Sequence, residues 1–279
     1  MKLKIRAIQF AATMALVSLG GWPAPAFADT TKILVEGTYP PWNFQTNDGE
    51  LTGFDLDLAI EVCRRAELTC EFSAQVWDSQ IPSLLEGKFD AMMTVGATPK
   101  RLKVMIFSTP YAATPEIFAA LTGGPIASLP GTDEKINASD PSTGPAIEAL
   151  KAAISGKKVA VMGSSSLHDF LESTFGDAID IRTYKSEPDM LLDLRVGRVD
   201  LVFDSSAFLK TAVLKPENAD IFITGPALSD DSLAINVSFG LKPDRTELKA
   251  KLDGAIAAAV ADGTVTALSM KWFGFDVSP

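Results

Sequence analysis

Short apolar runs alternate with longer amphipathic ones along most of the chain after residue 30, and that alternation limits the folds open to it. Parallel strands can be joined only by a crossover long enough to hold a helix, so a strand–helix–strand series implies an α/β fold with largely parallel sheets. Ile33-Leu34-Val35 reads as a strand, and a helix opens at Gly53 and runs to about Ala66. Asp55 stands where an N-cap would, and Asp57 where an acid complements a helix N-terminus. A strand over 68–76, a helix over 79–86 and a strand over 90–94 follow. Beyond a break near 115–145 the alternation resumes, with a helix over 146–155, a strand over 158–162, a helix over about 165–175, a strand over 179–184, a helix over 187–196 and a strand over 199–203. Residues 244–262 and 263–273 are helical patterns punctuated by Gly263, with Trp272 and Phe273 set to pack on the core. The break suggests two lobes, and its segment 125–145, rich in Gly, Pro, Ser, Thr and Asp, reads as a loop or insertion rather than a core element.

The first 28 residues carry a basic start (Lys2, Lys4, Arg6), an apolar stretch and an Ala26-Phe27-Ala28 cleavage pattern, which together read as a signal peptide for export to the periplasm. The apolar stretch is too short for a membrane anchor, and Gly20, Gly21, Pro23 and Pro25 interrupt it. Removing it takes three positive charges from a formal net of −10, leaving about −13, which argues against nucleic acid and anionic membranes as partners. In an exported chain Cys63 and Cys70 read as a disulfide. A metal site is the weaker alternative, since His168 is the one histidine and no C-x-x-C occurs.

In open α/β sheets ligands sit beyond the carboxyl ends of the strands, so the polar turns there are the candidates for chemistry. Three stand out. In Glu36-Gly37-Thr38-Tyr39-Pro40-Pro41-Trp42 two prolines stiffen the turn and aim Glu36 and Tyr39 in a fixed direction. In Thr94-Val95-Gly96-Ala97-Thr98-Pro99-Lys100-Arg101 small residues let backbone N–H groups approach an anion, and the arginine fork suits a carboxylate. Gly163-Ser164-Ser165-Ser166-Leu167 precedes a helix, whose N-terminus accepts an anion. Taken singly, each also reads as an ordinary loop, salt bridge or helix cap. No phosphate-binding glycine loop and no G-x-S-x-G motif are present, and His168 is the only imidazole available to a nucleophile.

Taken together, "GTYPPWNF", "GELTGFDLDLAIEV", "IPSLLEGKFDAMM", "TPKR" with "FSTPY", and the terminal "LKAKLDGAIAAAVADGTVTALSMKWFG" resemble the polar amino-acid solute-binding proteins of bacterial ABC importers. The resemblance covers the whole chain after the leader, and the Cys63/Cys70 pair also matches the lysine/arginine/ornithine and histidine binders. It implies a two-lobe periplasmic-binding-protein fold of type II with two crossover strands. Lobe one would be 29–115 plus 236–279, and lobe two 118–232. It further implies a monomer that binds a small molecule, delivers it to a membrane permease and needs no cofactor or metal. By the same resemblance Arg101 grips a ligand α-carboxylate beside Thr94 and the 94–96 backbone. Ser165 and Ser166 add donors from lobe two, Tyr39 and Trp77 wall the side chain, and Glu36 meets a guanidinium or ammonium.

Two positions depart from the binders of free amino acids. Gly96 stands where they have Ser or Thr, and Ser205 where they have Asp, with Asp204 one residue earlier. Read as extra room and a lost carboxylate, the pair resembles the octopine/nopaline class of opine-binding proteins, whose ligands are arginine condensed with a keto acid. Three other readings stay open: a binder of free arginine, lysine, ornithine or histidine; a cyclohexadienyl-dehydratase-like enzyme on the same fold; and a sensory partner that presents ligand to a membrane receptor.

Overall fold

The computed structural model describes residues 30–279; the leader 1–28 lies outside them. The chain first lays down strand β1 (Thr31–Val35), a small antiparallel sheet of β2 (Thr38–Tyr39), β3 (Asn43–Gln45) and β4 (Leu51–Thr52), and helix α1 (Phe54–Arg65). Next come β5 (Cys70–Ala74), α2 (Trp77–Leu85), β6 (Ala91–Val95), β7 (Ile106–Phe107) and β8 (Ala112–Ala113). It then enters a second sheet through β9 (Glu116–Leu121), β10 (Lys135–Asn137), α3 (Gly144–Ile154), β11 (Lys158–Met162), α4 (Ser166–Thr174) and β12 (Asp180–Tyr184). Helix α5 (Glu187–Arg195), β13 (Leu201–Ser205), α6 (Ser206–Ala212) and β14 (Ile221–Ser229) complete it. The chain returns to the first sheet by β15 (Asn236–Leu241) and ends in α7 (Thr246–Ala261) and α8 (Thr264–Trp272).

The first sheet has the order β5-β1-β6-β15-β7, with β8 also on β15; the second has the order β10-β14-β9-β13-β11-β12. This is the two-lobe α/β architecture. The sheets are mixed rather than largely parallel: β15 runs antiparallel to β6 and β7, and β9 antiparallel to β13 and β14. The antiparallel strands are those adjoining the two passages between sheets, 113–116 and 229–236, which lie side by side (Thr114 N–H donates to Ile235 O at 2.9 Å).

Period-two burial explains why each strand serves two cores. Ile33 and Val35 of β1 face Phe54, Leu58 and Val62 of α1, while Leu34 faces Leu84 and Met92. In the second sheet Val159, Val161 and Phe203 pack with Phe118 and Phe170, while Ala160 and Val202 face Met190, Leu194 and Phe208. Phe273 closes the first core against Trp42, with ring centroids 4.8 Å apart, as the C-terminal aromatic pair suggested.

Two further readings of the sequence need correction. The 125–145 segment is part of the second lobe: Ile126, Leu129 and Ile136 are buried in its core, and β10 pairs in parallel with β14. Its polar composition hid three apolar anchors too widely spaced to register as a period. Asp55 is not an N-cap. Gly53 holds that place at φ 125°, where a Cβ would meet Trp42 O at 2.4 Å, and the Phe54 and Asp55 N–H groups donate to the Pro41 and Trp42 carbonyls. The Asp55 side chain is fully buried instead. Asp57 pairs with Lys271 and accepts from Trp272 Nε1 at 2.7 Å, tying α1 to α8.

Cys63 of α1 and Cys70 of β5 are disulfide-bonded. Closing so short a loop is worth about 2–3 kcal/mol through the unfolded chain. Replacing both cysteines with alanine should lower stability by about that amount in urea unfolding, and thiol titration of the unreduced, unfolded parent should find no free thiol.

Candidate functional site

All nine residues singled out by sequence border one cavity between the two sheets: Glu36, Tyr39, Trp77, Thr94, Gly96, Arg101, Ser165, Ser166 and Ser205. They come from β2, the ends of β6 and β13, the turns that follow β1, β6 and β11, and the starts of α2 and α4. Contacts cross the cleft at its rim and floor. Trp77 Nε1 donates to Ser164 O at 3.2 Å, Lys100 pairs with Asp169 at 3.2 Å, and the Tyr39 hydroxyl reaches Asp204 at 2.6 Å.

Arg101 is buried at one end of the cavity. Its guanidinium donates to Gly96 O at 3.0 Å and stands 5.3 Å from the Trp77 ring. Asp169 is the one acid whose charge reaches it appreciably, and burial lowers its pKa to about 10. The structure thus holds a desolvated cation without a carboxylate in contact among the described residues, a receptor for a planar anion. Beside it, α4 begins with Ser165 as N-cap: its Oγ donates to Met162 O at 2.6 Å and accepts from the His168 N–H. The Ser165 hydroxyl is therefore committed to the cap, and what it offers the cavity is an ordered helix N-terminus.

The opposite end is acidic. Glu36, Asp204, Glu116 and Glu187 are all buried and all border the cavity. Thr38 Oγ1 donates to Glu36 Oε1 at 2.7 Å, while Asp204 Oδ1 accepts from the Tyr39 hydroxyl and from the Ser205 N–H. Desolvation and the neighbouring Asp204 and Asp78 charges push Glu36 up to about 7, opposed by the Thr38 bond. Burial likewise raises Asp204 to about 7, and it drives Glu116 and Glu187 well above the usual carboxylate range, reinforced by the acids around them.

Two of these four acids, Glu116 and Glu187, were not legible as site residues. Asp204 was seen but lay one residue from the expected position, and the structure brings both it and Ser205 to the cavity because Ser205 ends β13 and caps α6 (Phe208 N–H to Ser205 Oγ, 3.2 Å). A carboxyl therefore borders the cavity beside Ser205, as the position of Asp204 one residue earlier had left open. Glu187 resembles any acid in a first helical turn, and Glu116 follows Pro115 in a stretch without periodicity.

Gly96 also has a different reason from the one its sequence context suggested. An added Cβ would meet Ala234 O at 2.5 Å, Ala234 Cβ at 2.6 Å and Asn236 O at 2.6 Å, so the glycine admits the returning crossover rather than ligand volume. Thr94 takes the left-handed conformation (φ 55°), and its hydroxyl donates to Asp55 and accepts from Asn43, so it is spent on holding the turn.

A two-sheet α/β protein with a cavity between its lobes, polarised by one buried cation and four buried acids, has the periplasmic-binding-protein architecture. Across residues 31–275 the chain belongs to the bacterial extracellular solute-binding proteins, family 3. It is 37% identical over 277 residues to the octopine-binding periplasmic protein of Rhizobium meliloti, covering 92% of this chain and 94% of that protein. It is 31% identical over 261 residues to the histidine-binding periplasmic protein of Escherichia coli K12, covering 90% of each. The solved structure of an arginine-specific periplasmic binding protein from Salmonella typhimurium matches with a TM-score of 0.72 at 26% identity, over 88% of this chain and 99% of that one. These relatives are named as binding proteins, and among the described residues no helix is long and apolar enough to cross a membrane.

Two outcomes follow. Gly96→Ser should lower stability by about 1–3 kcal/mol through overpacking against the 234–236 backbone, read as a reduced midpoint in chemical unfolding. The second concerns pH. The folded protein retains protons on Glu36 and Asp204 up to about pH 7, whereas the unfolded chain loses them at ordinary carboxylate values. The folded state therefore binds more protons in that window, and the cluster's contribution to stability falls as pH rises from about 4 to 7. The surface acids Glu61 and Asp262, held at about 2 by hydrogen bonds, change charge below it. Thermal unfolding of ligand-free protein should give a lower midpoint at pH 8 than at pH 5, and a clear rise across that range would contradict the assignment.

Proposed function

We propose that the chain is an exported, periplasmic solute-binding protein of an ABC importer that captures an arginine-derived opine of the octopine/nopaline type, without catalysis and as a monomer. The two sheets act as separate lobes, 29–115 with 236–279 and 118–232, which close on the solute. The observation that carries this reading is the polarity of the cavity: one buried arginine at one end, carboxyls at the other. A solute that is anionic at one end and guanidinium-like at the other meets both. Arg101 takes a carboxylate bidentately with the α4 N-terminus and Ser166 beside it, and Glu36 takes the guanidinium. Tyr39 and Trp77 wall the stem between, and Asp204 receives the amine. The octopine-binding relative supports the opine class, since similarity to it extends over nearly the whole chain.

A free basic amino acid is the second reading, favoured by Asp204 itself: a buried carboxyl in the cavity is what a primary α-ammonium requires. Calorimetric titration with octopine, nopaline, arginine, lysine and histidine separates the two. Tightest binding of an opine supports the first, and tightest binding of arginine or lysine replaces it with the second. Arg101→Ala should weaken the preferred solute by about 2–5 kcal/mol, because a buried carboxylate loses its bidentate partner. An affinity within a few-fold of the parent's would remove Arg101 from the site.

A further inference from the structure

The four acids of the cavity are not equivalent. Glu36 and Asp204 are engaged within the protein, by Thr38 and by Tyr39 with the Ser205 N–H. Glu116 and Glu187 are each about 3% exposed, and each has one carboxyl oxygen, Oε2, that is fully buried with no hydrogen-bond partner. Gln80 Oε1, from the opposite lobe, is a third buried acceptor in the same condition, and all three residues border the cavity. A buried acceptor without a donor is costly in a fold, and three around one cavity mark a place that expects N–H groups from outside.

We infer that Glu116 and Glu187 are ligand-binding residues that set specificity: together with Gln80 they form a second acceptor cluster. This cluster makes the cavity select solutes carrying two N–H-rich cationic groups behind the carboxylate that Arg101 holds. The inference rests on the functional reading above and deepens it. Position supports it. Glu116 lies opposite Ser205 in the β9–β13 ladder, one residue from Asp204, and Glu187 opens α5. The charges of Glu116, Asp204 and Glu187 all act on the Tyr39 hydroxyl, so the three converge on the acidic end. One cation cannot satisfy Glu36, Asp204 and this cluster together. Two can: a guanidinium offers five N–H donors in a flat fork, and an ammonium offers up to three. Arginine, lysine and the arginine-derived opines carry two such groups; citrulline and glutamine carry one.

The test is calorimetric titration at pH 8 of the parent, Glu116→Gln and Glu187→Gln with octopine, arginine and citrulline, and thermal unfolding of each ligand-free protein. Glutamine keeps the volume and cannot take the negative charge that a bound cation draws out. Each variant should bind octopine and arginine at least tenfold more weakly, with a smaller change toward citrulline. Each should also unfold at an equal or higher temperature without ligand, because an unpaired buried carboxyl has been removed. A parent that prefers octopine or arginine while both variants keep affinities within twofold overturns this inference and leaves the functional reading standing. Variants that lose ligand-free stability in step with affinity also overturn it, by showing a structural role. A parent that binds citrulline more tightly than octopine and arginine overturns both.

Discussion

The binding turn hangs on one buried carboxylate. Asp55, in the first turn of α1, accepts hydrogen bonds from Asn43 Nδ2, Thr94 Oγ1 and the Tyr111 hydroxyl, and the Tyr111 hydroxyl in turn accepts the Thr94 N–H. Four separate segments meet there: the small sheet after β1, α1, the end of β6 and the stretch before the crossover. Burial raises Asp55 to about 6 while its three donors pull it back down, so the charged form depends on the network being complete. The network fixes Thr94 in a backbone conformation that a β-branched residue rarely adopts. That turn places Gly96, and Gly96 O receives the Arg101 guanidinium.

The same arrangement shows how the molecule divides stability from function. An isolated buried cation and four crowded acids are each unfavourable in a folded protein. Segregated at the two ends of one cavity, they form a field that a solute of matching polarity completes. The apolar cores on both faces of each sheet carry the stability that allows it.

In sequence, Gly96 reads as room for a ligand and Ser205 as a missing acid; the fold gives each a different surrounding. Gly96 faces the 234–236 backbone, and Asp204 supplies a carboxyl beside Ser205. What the cavity keeps is its charge pattern, one buried arginine and several buried carboxyls, which suits a solute anionic at one end and cationic behind it. A glycine in a binding loop looks the same in sequence whether it yields space to a ligand or to another strand; only the position of the strand distinguishes them.

What the sequence determined by itself was the set of local decisions. Strand and helix alternation defined the α/β class, the turns after β1, β6 and β11 defined the floor of the site, and the Cys63/Cys70 spacing suited a bridge, because each depends on residues near one another in the chain. What only the tertiary structure decided was the chemistry made by pairs distant in sequence. Asp55 reads as a helix cap until Asn43, Thr94 and Tyr111 surround it. Glu116 reads as a loop acid until β9 lies against β13 and sets it by Ser205. The polar 125–145 stretch reads as an insertion until Ile126, Leu129 and Ile136 find the second core. A carboxyl's meaning is set by how much water it loses and which charges it meets, and neither exists before the chain has folded.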